Sequence, residues 1–133
     1  MIYEKCYSIQ PFQLRDKRRG LFDECVDATI VLTMPNSTRR NQFISQLRLF
    51  KPSSRIFVIN NVGFRNCKKS MSTFCSNNPS NVNSTNIDLI HAYKYMLNWC
   101  ELQGYRYILS LEDDFEFMDS VLKEPLHCKR ICE

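Results

Sequence analysis

Tyr105-Arg106-Tyr107-Ile108-Leu109-Ser110-Leu111 runs without a break into Glu112-Asp113-Asp114. The apolar part is aromatic and aliphatic, and it reads as a largely buried strand. Charged carboxylates directly after a buried strand are costly unless a cation or hydrogen-bond donors compensate them. The strand therefore delivers its acids to an edge where something meets them. Two similar stretches lie upstream, Ala28-Thr29-Ile30-Val31-Leu32-Thr33 and Arg55-Ile56-Phe57-Val58-Ile59-Asn60. Between them, residues 39–50 follow a helical period, with Phe43, Leu47 and Phe50 on one side and Ile44 beside them. Lys51-Pro52-Ser53-Ser54 stops that helix. Residues 88–102 predict the clearest helix, with Leu89, Ala92, Tyr93, Met96, Leu97 and Cys100 as its apolar stripe and Gly104 after its end.

The order is strand, helix, strand, long polar loop over residues 61–85, helix, strand. Such alternation predicts an α/β domain with a parallel-centred sheet flanked by helices. Residues 1–27 read as an irregular lead-in, 28–120 as the domain and 121–133 as a tail. Ligands in such sheets bind beyond the carboxyl ends of the strands. All three strands bring polar residues there: Thr33-Met34-Pro35-Asn36, Asn60-Asn61 and Glu112-Asp113-Asp114.

Composition narrows the function. A chain of 133 residues, 44% hydrophobic and 24% charged, is one globular domain and not a disordered segment. The 18 basic and 14 acidic residues leave a net charge of only +4, with bases and acids interleaved, which argues against nucleic acid as a partner. Three glycines leave no room for a glycine-rich phosphate loop. No apolar run reaches the ~18 residues of a membrane span, and the opening MIYEKCYSIQPF lacks a signal-peptide core. A cytoplasmic location is the expectation. The seven cysteines are irregularly spaced, without a CxxC pair, and are expected to be mostly free thiols.

The carboxylates suit a hard cation. Side chains alternate along a strand, so Glu112 and Asp114 are expected to share a face while Asp113 points away. Two such carboxylates are a site for Mg2+ or Mn2+ bridged to the phosphates of a nucleotide.

Leu109-Ser110-Leu111-Glu112-Asp113-Asp114-Phe115 resembles the "lilEDDv" element that serves GT-A glycosyltransferases as their DxD-type motif. Leu89-Ile90-His91-Ala92-Tyr93-Lys94 resembles the "LSHl" helix preceding that motif in family 25, the lipooligosaccharide and collagen galactosyltransferase type. Ile30-Val31-Leu32 followed by Thr38-Arg39-Arg40 is similar to that family's "INL…RRxxR" opening. The chain departs from the pattern at Asn86-Ile87-Asp88, where the family has a Gly-containing segment, and at Ile90, where it has Ser. The resemblance implies a GT-A, Rossmann-like fold, with only the N-terminal nucleotide-binding half represented. It implies transfer of a sugar from a nucleotide-sugar, UDP-sugar favoured, to the hydroxyl of a glycan, lipid or protein acceptor. It assigns the metal, Mn2+ or Mg2+, to Glu112 and Asp114, and nucleotide contacts to Asp113. Thr33, Pro35 and Asn36 would meet the nucleobase and ribose, Arg39 or Arg40 the diphosphate, and His91 the neighbourhood of the donor. No catalytic base is assigned, because the family's acceptor half has no counterpart in these residues. The alternative is a truncated, non-catalytic GT-A remnant acting as a binding or interaction module. A metal-using nucleotidyltransferase is disfavoured by the missing glycine-rich loop and by the lack of a Lys at the strand ends.

Overall fold

The computed structural model describes residues 7–34, 38–61 and 84–123. Its described elements are β1 (Tyr7–Pro11), β2 (Ala28–Thr33), α1 (Arg40–Phe50), β3 (Ile56–Asn61), α2 (Ser84–Gln103), β4 (Ile108–Glu112) and a short α3 (Ser120–Lys123). The four strands form one mixed sheet in the order β1-β3-β2-β4. β2 pairs parallel with β3 and with β4, through registers that include Thr33↔Asn60 and Leu32↔Glu112. The expected parallel centre is present, with the strand of residues 28–33 between its two partners.

β2 is central, and every one of its residues is buried. Its alternation sets up two cores. Ile30 and Leu32 face Ala92, Met96 and Cys100 of α2, together with Tyr7 and Ile59. Val31 faces Phe43 and Leu47 of α1, together with Ile56 and Val58. The helices therefore cover opposite faces. α2 buries a narrower stripe than its periodicity predicts: Leu89 and Leu97 are exposed. Tyr95 and Trp99 pack instead, and Trp99 meets the Phe57 ring edge-on at 4.8 Å between centroids.

The lead-in holds a strand that the sequence reading lacks. β1 pairs antiparallel with β3, with Tyr7 opposite Asn61 and Pro11 opposite Phe57. Its only aliphatic residue is Ile9, and its Pro11 is tolerated because β1 is an edge strand. The rest of the lead-in is tied to the turn after α1. Lys51 closes α1 in the left-handed region at φ 40. Its ammonium donates to Arg18 O and to Asp16. Gly20 packs so closely on this turn that a Cβ there would come within 2.3 Å of Ser53 Cα.

The expectation of free thiols needs correcting at Cys25, which is disulfide-bonded. Cys100 is free and buried, and burial pushes its thiol up to about 11. The expectations for the other five cysteines, and for most of the loop over 61–85 and the tail over 121–133, lie outside the described residues. Among the described residues no helix is long and apolar enough to cross a membrane.

Candidate functional site

From β2 the chain crosses α1 to β3 on one side of β2. From β3 it crosses α2 to β4 on the other side. The direction of winding therefore reverses between β2 and β4, and their carboxyl ends flank the switch point where open α/β sheets bind ligands. A hydrogen bond spans that point: Thr33 Oγ1, at the end of β2, donates to Asp113 Oδ2 at 3.2 Å. Thr33 is 3% exposed, and its one hydroxyl proton is shared between Asp113 Oδ2 and the Met34 carbonyl oxygen at 3.3 Å.

The acids do not divide as the alternation predicts. β4 ends at Glu112, and a turn follows, closed by Phe115 N–H donating to Glu112 O at 3.1 Å. Ser110 and Glu112 lie on the α2 face. Ser110 Oγ contacts Met96 Sδ, and Glu112 accepts from Tyr93 OH at 3.3 Å. Asp114 is brought to the α1 side, where its Oδ2 lies 3.4 Å from Arg39 Nη1. Glu112 and Asp114 thus belong to opposite faces, because the turn interrupts the two-residue period.

Aromatic packing explains the direction of that turn. Phe115 joins the core under α1, and Phe117 packs against it edge-on at 5.3 Å and against Phe50 at a tilt, 5.2 Å between centroids. Phe117 N–H donates to Gln46 Oε1 of α1 at 3.0 Å. These contacts pull the chain beyond the acids across α1 and carry Asp114 toward the helix's first turn.

Of the two arginines at the start of α1, Arg39 meets Asp114. Arg40 instead lines a cleft with Gln10, Phe12, Phe43, Val58 and Asn60. Asn60 Oδ1 is buried there without a hydrogen-bond partner. His91 is half-buried on α2, the helix covering the face opposite α1. Pro35 and Asn36 lie outside the described residues. Tyr93 was not among the residues the sequence singled out for the site. Its phenol is held above its ordinary value by burial, and next by the Glu112 carboxylate. Only its place on α2, seven residues before Cys100, links it to β4, and no local motif announces that contact.

No group of three or more His, Cys, Asp and Glu among the described residues could hold a metal by itself. Mg2+ seldom uses an all-protein cage; one or two carboxylates plus substrate phosphates suffice. At the switch point Asp113 is tied to Thr33 and Asp114 is paired with Arg39. No family description, curated protein or solved structure matches this chain.

Proposed function

We propose that the chain binds a nucleotide-sugar at the β2–β4 switch point and belongs to the GT-A class of glycosyltransferase, as its nucleotide-binding half. The observation that supports this reading is the Thr33–Asp113 hydrogen bond across the switch point, with the Arg39–Asp114 pair beside it. Asp113 and Asp114, in place of the Glu112–Asp114 pair, offer oxygens to Mn2+ or Mg2+. The cation, when bound, neutralises the diphosphate and stabilises it as a leaving group.

The chain's own residues do the rest of the binding. Thr33 donates to Asp113, which favours one orientation of that carboxylate before any ligand arrives. Arg39, at the exposed start of α1, is positioned to exchange Asp114 for a phosphate oxygen, a geometry that suits a guanidinium. The first turn of α1 carries no acidic residue to oppose an anion. Tyr93 keeps Glu112 on the other face, where its carboxylate is available to a sugar or ribose hydroxyl.

Calorimetry with a panel of UDP- and GDP-sugars, each with and without Mn2+, tests the reading. At least one donor should bind only with the metal. Asp114→Asn should weaken that binding about tenfold or more, as loss of a charged ligand does. Donor binding indifferent to both Mn2+ and Asp114→Asn, or no binding at all, would leave the acidic turn a structural clasp.

A further inference from the structure

A cluster of exposed basic residues lies at the pole opposite this edge. α1 starts at the carboxyl edge of the sheet and ends at the amino edge, where the segment Arg15-Asp16-Lys17-Arg18-Arg19 folds against it. Arg18 is the hinge of that contact: its guanidinium donates to Arg48 O at 2.6 Å and Leu49 O at 3.2 Å. The contact adds Arg48, from the last turn of α1, to a run that the sequence alone shows as four cations.

The acid within the run is silenced internally. Asp16 accepts from Arg18 at 2.9 Å and lies 3.3 Å from the Lys51 ammonium, and these contacts hold its carboxyl below the usual range. Arg15, Lys17 and Arg48 are exposed, and Arg19 meets Glu24 only at 3.5 Å, with both side chains half-exposed or more. Leu49 stands beside Arg48 with 56% of its surface in water. Exposed cations near an exposed aliphatic side chain suit an anionic lipid surface, whose headgroups would take the charges and whose acyl boundary would take the leucine. At the other pole Glu112 and Asp114 are both exposed.

We infer that the patch formed by Arg15, Lys17, Arg19, Arg48 and Leu49 docks the protein peripherally on an anionic lipid surface, leaving the switch-point edge facing the aqueous phase. This inference does not depend on what the switch point binds.

Co-sedimentation of the whole chain with vesicles tests it, using phosphatidylcholine alone and phosphatidylcholine with about a third phosphatidylserine, at about 50 mM and 500 mM salt. Binding should require phosphatidylserine and weaken strongly at the higher salt. The triple variant Arg15→Gln/Lys17→Gln/Arg48→Gln should lose on the order of a hundredfold of its vesicle affinity at low salt. Leu49→Ser should lose a further part that salt does not mimic. Circular dichroism establishes that each variant folds, and these exposed positions have little effect on the fold. Binding that ignores phosphatidylserine, or survives the triple change in a folded protein, overturns the inference. So does a soluble polyanion, an RNA or inositol hexakisphosphate, that binds the patch while the vesicles do not.

Discussion

Thr33 is buried, yet its hydroxyl serves an acid that is only half-buried. Thr33→Val keeps the shape and removes the donor. It should cost about 1 kcal/mol of stability, the usual worth of one such bond. The larger consequence should fall on nucleotide binding, because Asp113 loses its favoured orientation. Denaturant unfolding and calorimetry on the same variant separate the two effects. A large loss of stability with unchanged binding would assign Thr33 to the core alone. Cys100 makes a second residue-scale expectation. Its buried thiol, pushed up to about 11, should resist alkylation at pH 8 in the native protein and react promptly once the chain is unfolded.

At the scale of elements, the sequence shows clearly what packing decides and poorly what turns decide. β2, β3 and α1 stand out because their apolar residues follow the period of the structure they form, and Phe43, Leu47 and Phe50 are all buried as that period requires. β1 escapes notice because an edge strand needs only a few apolar contacts; Tyr7, on Tyr95 at 5.0 Å, carries most of them. The Glu112–Asp114 geometry escapes for another reason. Alternation holds only while the strand continues, and Phe115 and Phe117 end it by packing on α1. The lead-in teaches the same lesson through Gly20. Its backbone N–H donates to Asp23 Oδ2 at 2.8 Å, and Ser53 lies against it. Gly20→Ala must displace the Ser53 backbone and should cost several kcal/mol, within the range of overpacked sites at about 1–3 kcal/mol or above it. Thermal unfolding of this variant beside Gly104→Ala is informative. Gly104 has open space but a φ of 80, so its alanine pays backbone strain only and should lose about 1 kcal/mol. A Gly20→Ala protein as stable as the parent would mean that the lead-in does not pack against the turn after α1.

Across the whole molecule, the amino edge of the sheet is held by carboxylates that work only when ionised. Asp27 accepts backbone N–H groups from Tyr107 at 3.0 Å and Arg106 at 2.7 Å, and these bonds hold it below the ordinary value of 3.8. Asp23 is partly desolvated, which pushes it up, but the donors of Ser54 and Gly20 prevail and it too lies below 3.8. A depressed folded value means that stability from these groups is fully present above the unfolded value. It is lost as pH falls from there through the folded values. The protein should therefore lose stability as pH drops below about 4. Asp27→Asn should be less stable than the parent at pH 7, with the difference shrinking toward pH 3. An acid titration of melting temperature in which the two proteins stay equally far apart would remove Asp27 from this role.

In the proposed function a nucleotide diphosphate and a divalent cation meet between the carboxyl ends of β2 and β4. Paramagnetic broadening of backbone amide signals by Mn2+, with UDP present, locates the cation directly. The signals of Thr33, Arg39, Asp113 and Asp114 should be lost selectively, while those of Ser54 and Arg106 at the amino edge stay sharp. Asp114→Asn should restore the lost signals. Broadening centred on any other part of the sheet, or none when UDP and Mn2+ are both in excess, would contradict the proposal.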